Sequence, residues 1–210
     1  MRSLFLALLL AGSASASAQS DIGLVNLVAG GVTLTPQSGQ PVPAKPFMKV
    51  REGDRFDVPA GAQVRVVFFE GSRQERWQGP ASFRAARLQS SAISGKPADI
   101  SALPASVPLR MARVPELMQN AKLGGIQVRS AQAVKPVQEH ALDEAKSTYE
   151  RLRKELPGDD ITPELFYYSA LNEYQLYEDM APVVDEMLRK QPDSDEVKSL
   201  ASWLKSRRRR

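Results

Sequence analysis

The sequence predicts an α+β protein of two regions, an N-terminal antiparallel β sandwich or roll followed by C-terminal antiparallel helical hairpins. Three observations predict it. Between residues 20 and 90, short β-prone runs are separated by glycine turns. From Ala141 onward the apolar period changes from two to about three and a half. Between these stretches Pro97, Pro104, Pro108, Pro115 and Pro136 interrupt any long element.

Taken from the start, Arg2 precedes an apolar run from Leu4 to Ala11 and then the small residues Ala14-Ser15-Ala16-Ser17-Ala18. This order reads as a secretory signal over residues 1–18, with the mature chain beginning at Gln19. The apolar run is too short to span a bilayer, and no second long one follows. The expected compartment is therefore the periplasm, reached by export, with no membrane-spanning segment in the product. The sequence has no cysteine, which excludes disulfides, a thiol-linked lipid anchor, thiolate metal sites and cysteine catalysis. An exported domain without disulfides must be held by its own apolar core.

The β region is expected over residues 19–95. Ile22, Leu24, Val25, Leu27 and Val28 run into Ala29-Gly30-Gly31, and Val32 to Thr35 resume, a pattern that predicts a hairpin turned at the glycines. Gly53-Asp54, Phe56 and Val58 lead to the turn Gly61-Ala62 and the strand Gln63 to Phe69. Val64, Val66 and Phe68 alternate with Arg65, Val67 and Phe69, so both faces are partly apolar and the strand is expected to be central. After Glu70-Gly71-Ser72, residues Arg73 to Gln78 form a more exposed return strand, closed by Gly79-Pro80-Ala81-Ser82. Residues 96–136 read as a proline-broken connector, in which Pro115-Glu116-Leu117-Met118 opens one short helix.

The helical region is expected over 137–206. Leu142, Ala145, Tyr149, Leu152 and Leu156 form a stripe stopped by Pro157-Gly158. Thr162 offers an N-cap oxygen, with Pro163 at the first helical position and Glu164 near the positive end of the dipole. Tyr167, Ala170, Leu171, Tyr174 and Tyr177 supply the next stripe. Met180, Val184, Met187 and Leu188 mark a third helix, and Ser194 caps a fourth with Val197, Leu200, Ala201 and Leu204 on its apolar face. None of these buries its stripe alone, so they should pack as antiparallel neighbours.

The Gly53-Asp54-x-Phe56-x-Val58 step, the Gly61-Ala62 turn, the strand after it, Glu70-Gly71-Ser72 and Gly79-Pro80-Ala81-Ser82 together resemble the periplasmic β domain of the FecR family. The resemblance covers about residues 22–90 and implies a β fold, not iron-signal transduction. The helical part is similar to tetratricopeptide repeats: Ala145, Tyr149, Leu152 and Pro157 recur 35 residues later as Met180, Val184, Met187 and Pro192. That resemblance implies a groove for an extended peptide lined by Leu165, Ser169, Asn172 and Glu173.

Lys and Arg outnumber Asp and Glu by 11 to 7 over residues 19–110, and are outnumbered 8 to 15 over 141–205. Arg207, Arg208, Arg209 and Arg210 then form a basic tail expected to touch an anionic surface such as lipid. His140 is the single histidine and stands beside Glu139 without a nucleophile in its neighbourhood. No G-x-S-x-G, H-E-x-x-H or phosphate-loop pattern occurs, so no catalytic residue, cofactor or metal is expected. Asp159-Asp160 and Asp193-Ser194-Asp195-Glu196 offer carboxylates but lack calcium-loop spacing, and both suit helix starts. The tyrosines Tyr167, Tyr168, Tyr174 and Tyr177 offer contact area, most of it expected in the core. The expected function is a non-enzymatic protein-binding adaptor or scaffold in the bacterial envelope, with an envelope protein or peptide as partner and not nucleic acid. The alternative is a binder of peptidoglycan or another anionic polymer through the basic β region and the arginine tail.

Overall fold

The structure is a computed structural model that describes residues 20–122 and 136–208. The expected signal segment 1–18, part of the connector and the tail residues Arg209 and Arg210 lie outside the described residues. In chain order the elements are β1 (Asp21–Ala29), β2 (Thr33–Thr35), β3 (Val42–Pro43), β4 (Lys49–Arg51), β5 (Arg55–Val58), β6 (Gln63–Phe68), β7 (Arg73–Gln78), β8 (Ala81–Ala85), β9 (Ser90–Ser94) and β10 (Asp99–Ala102). The helices follow: α1 (Ser106–Met111), α2 (Val114–Lys122), α3 (Glu139–Glu155), α4 (Thr162–Glu173), α5 (Tyr177–Lys190) and α6 (Asp195–Arg208). The chain is thus α+β, with two antiparallel sheets in its first half and helices after them.

The sheets have strand orders β10-β7-β6-β1-β4 and β3-β2-β5-β8-β9. The first stretch is not the hairpin that its glycines suggest, because β1 and β2 belong to different sheets. Gly30, at φ +80, hands the chain from one sheet to the other. Both sides of β1 are already paired, with β4 and β6, and Leu34 instead enters the second sheet opposite Phe56. β6 is central, as its two apolar faces predict. One face gives Val64, Val66 and Phe68 to a cluster with Val25, Phe56, Trp77 and Phe83, where Phe83 stacks on Phe56 at 4.7 Å and on Trp77 at 4.5 Å. The return strand β7 is buried rather than exposed. Glu75 accepts hydrogen bonds from Trp77 Nε1 and from the Ser90 backbone and hydroxyl, while Gln74 faces the opposite way, toward the helices.

The other face of the first sheet carries the helices. Leu24, Phe47 and Val67 share a core with Leu103, Val107, Met111 and Val114 and with Leu152, Leu165, Phe166, Met180, Met187, Val197 and Leu200. The segment 96–136 therefore holds more regular structure than its prolines suggest. Pro108 and Pro115 sit in the first turns of α1 and α2, where no intrahelical N–H is required. Residues 123–135 of that segment lie outside the described residues.

Helices α3 to α6 pack each on the next, α1 lies on α4 and α2 on α6. The four stripes read from the sequence correspond to these four helices, except that Leu156 and Tyr174 lie just past the ends of α3 and α4 and Tyr177, expected on the second stripe, opens α5. Ser194 caps α6 as expected, its Oγ accepting the Val197 N–H at 3.3 Å. Ser194→Ala should cost about 1 kcal/mol, read as a fall of roughly 3 °C in the melting midpoint. An unchanged midpoint would remove this cap from the account.

Candidate functional site

The largest convergence of polar side chains lies at the seam between the first sheet and the helices. Asn26 occupies a bulge of β1, where the register with β6 shifts between Val25 and Leu27, and the bulge turns its amide toward the helices. Arg65 on β6 and Gln74 on β7 project from the same face. From the other side the turn before α4 presents Asp159, Asp160 and Thr162, while Lys190 and Gln191 arrive from the end of α5.

Asp160 is fully buried at the centre of this seam. Its Oδ1 accepts the Thr162 N–H at 2.8 Å and the Asn26 amide at 3.3 Å, and its Oδ2 accepts the Gln74 amide. The Thr162 hydroxyl accepts from Asn26 and donates to Gln74 Oε1 at 2.6 Å. Thr162 is thus not the N-cap that its position suggests. The cap is supplied by Asp160, which frees the threonine hydroxyl for the sheet. The Arg65 guanidinium, also fully buried, lies 3.2 Å from the Asp159 carboxylate and 3.6 Å from Asp160. Beside it Lys190 Nζ donates to both carboxylate oxygens of the buried Glu164, at 3.0 and 2.9 Å, and to the Asp160 carbonyl at 2.8 Å. Burial pushes the Glu164 carboxyl above its usual range, and Lys190 only partly opposes that shift. Most of these groups are buried and bonded to one another across the seam, which ties the helices to the sheet, while the Asp159 carboxylate reaches solvent and Asn26 Oδ1 and Arg65 Nε and Nη1 have no hydrogen-bond partner among the described residues.

The four residues expected to line a peptide groove are drawn together, but under a cover. Leu165 and Ser169 are buried, in the case of Leu165 within the same core as Val107 and Met111 of α1. The Ser169 hydroxyl donates to the Arg110 carbonyl at 3.4 Å. Glu173 pairs with Arg110 at 3.0 Å and with Arg113 at 3.5 Å. Asn172, next to Glu173 at the end of α4, is half-buried. This face of α4 is occupied by α1 of the same chain.

Of the basic tail, Arg207 and Arg208 extend α6. Arg207 lies over the Trp203 ring at 5.4 Å, and Arg208 donates to Glu178 at 2.8 Å. Tyr168 and Tyr174 are core residues, and Tyr149 stacks on Tyr167 at 4.8 Å. His140 stands exposed on α3, its Nε2 3.3 Å from Glu144 as a same-helix pair. It lines an open depression of about 560 Å³ with Arg110, Asp143 and Phe166. Among the described residues no group of three or more histidines and carboxylates is arranged to hold a metal ion, and no helix is long and apolar enough to cross a membrane.

Two features escape the sequence reading. One is the seam, and the other is the pairing of Arg55 with Arg84 across β5 and β8. The only local signal for the seam was the polar residues Asn26, Arg65 and Gln74 inside otherwise apolar strands. No family model, curated protein or solved structure matches the chain.

Proposed function

We propose that the protein is an exported, non-catalytic adaptor or scaffold of the bacterial envelope whose work is to bind another polypeptide. One observation carries this reading. The buried polar network of the seam is used to tie helices to sheet, while the terminal strands β9 and β10 present Ile93 and Ile100 at 49% and 59% exposure. A terminal strand has unpaired backbone groups, and an extended segment can add to it with apolar side chains supplying affinity.

On this reading the first region is a β sandwich of FecR-like type. The shared core formed by side chains of both sheets supports it. The helices are tetratricopeptide-like hairpins, a reading supported by the nearest-neighbour packing of α3 to α6. The binding surface moves from the α4 face, which α1 fills, to the strand edges.

Photo-crosslinking in intact cells tests it, with the reactive residue placed at position 93 or 100 and, as a control, at the exposed Glu150. Adducts to an envelope polypeptide are expected from the first two positions, and they should survive high salt because apolar burial is not screened. Their absence, or turnover of a cell-wall or nucleotide substrate by the purified mature protein, would overturn the reading.

A further inference from the structure

The outward face of the second sheet carries an ordered set of polar side chains. Phe56 and Val58 of β5 and Ala81, Phe83 and Ala85 of β8 are buried in the core, so by alternation Arg55, Asp57, Ser82 and Arg84 face outward. The register places Thr35 opposite Arg55, Arg55 opposite Arg84, and Arg84 opposite Ser91. Four neighbouring strands thus present a row of hydroxyl, guanidinium, guanidinium and hydroxyl about 14 Å long. Beside it lies a shallow depression of about 550 Å³ whose lining includes Arg55, Asp57, Ser82 and Ser94, the two serine hydroxyls 2.9 Å apart.

Like charges directly opposite on neighbouring strands oppose folding, unless something anionic lies over them. Asp57 offsets part of the charge, meeting Arg55 Nη2 at 2.7 Å and Nε at 3.1 Å on a single carboxylate oxygen. Arg84 Nη1 donates to the Gly53 carbonyl at 3.0 Å. Among the described residues these bonds use Nε and Nη2 of Arg55 and Nη1 of Arg84, so each guanidinium keeps donors for a further acceptor. Both arginines are exposed, and the helices lie on the other sheet.

We propose that this face binds a carboxylate-bearing polysaccharide strand, with Arg55 and Arg84 gripping carboxylates and the hydroxyls of Thr35, Ser91 and Ser94 meeting sugar hydroxyls. The forked guanidinium matches a carboxylate in two parallel hydrogen bonds. The shallow depression sets these guanidinium and hydroxyl groups beside Pro59 and Pro80, an open amphipathic surface that suits the hydroxyls and apolar ring faces of a glycan better than a peptide, whose affinity draws on deep side-chain pockets. The site gives the expectation of an anionic polymer partner a place in the fold and stands apart from the strand-edge reading.

The test uses the mature protein and polygalacturonate, with the fully methyl-esterified polymer as a neutral control on the same backbone. The carboxylate form should bind and the ester should not. Arg55→Gln with Arg84→Gln should weaken binding at least tenfold, while the melting midpoint stays level or rises as the like-charge contact is removed. Ser91→Glu, which supplies a carboxylate opposite Arg84 from within the chain, should also weaken binding without loss of fold. The charge-matched pair Lys146→Gln and Lys198→Gln on the helices should leave binding unchanged. Equal loss in that pair, undiminished binding by the arginine or glutamate variants, or binding to phosphatidylglycerol vesicles in place of the polymer would each overturn the proposal. Crosslinks from positions 93 and 100 that persist in the arginine variant would show that the protein-binding surface is a separate matter.

Discussion

Asp160→Ala is expected to lower the unfolding free energy by about 4 kcal/mol, a fall in melting midpoint on the order of 10 °C for a chain of this size. The substitution removes one buried carboxylate, strands two donors and weakens the hold on two more. The Thr162 N–H loses its acceptor at the start of α4 and the Gln74 amide loses its own on the sheet, while Asn26 keeps Gln74 Oε1 and the Thr162 hydroxyl. Arg65, closed off from water, keeps only Asp159. A buried donor without a partner costs more than the bond it made, because water cannot replace that bond. Asp160→Asn should not rescue the protein, since its new N–H₂ would face the amide donors of the network. Arg65→Met combined with Asp160→Ala should be less destabilised than the sum of the two single changes, because the orphaned charge leaves with its partner. Urea unfolding of the four proteins measures this directly. A loss below about 1 kcal/mol for Asp160→Ala would show that the seam does not hold the helices to the sheet.

Lys190→Met is expected to cost about 3 kcal/mol at neutral pH, and the penalty should shrink on acidification. The change leaves Glu164 ionised and enclosed, with only Arg153 nearby at 3.6 Å. Burial already raises the Glu164 carboxyl above its ordinary value of 4.5, and removal of Lys190 raises it further. The sign follows from linkage. A carboxyl whose folded value is raised binds its proton in the folded state before the unfolded chain does. Its favourable contribution is complete below 4.5 and is lost as the pH rises through the raised folded value. The gap between variant and parent should therefore narrow as the pH falls from 7 toward that value. Glu164→Leu together with Lys190→Met should recover most of the stability, since a well-packed apolar pair replaces a buried ion pair at little net cost. A pH-independent gap would mean that the pair does not govern this part of the seam.

The parts of the fold that were legible in the sequence are those fixed by local spacing. The stripes of α3 to α6 follow the helical period, and β6 announced its central place by being apolar on both faces. What escaped depends on partners far along the chain. Gln74 stood on a strand expected to be more exposed, and Arg65 on a central strand with no partner indicated, because a polar residue in a strand looks the same whether it meets water or a carboxylate 86 or 94 residues later. Gly30 allows a left-handed turn, but not even a glycine can state which sheet the chain enters next. The α4 face read as an open groove because its apolar and hydroxyl positions are visible in the sequence, whereas the arrival of α1 upon them is a tertiary event.

That arrival has a thermodynamic corollary. A tethered occupant meets its site at an effective concentration set by the chain that joins them, whatever the abundance of competitors in solution. Any foreign helix or peptide directed at Ser169 and Glu173 must first win against Arg110 and its neighbours, and its apparent affinity falls by the fraction of molecules in which α1 has lifted away.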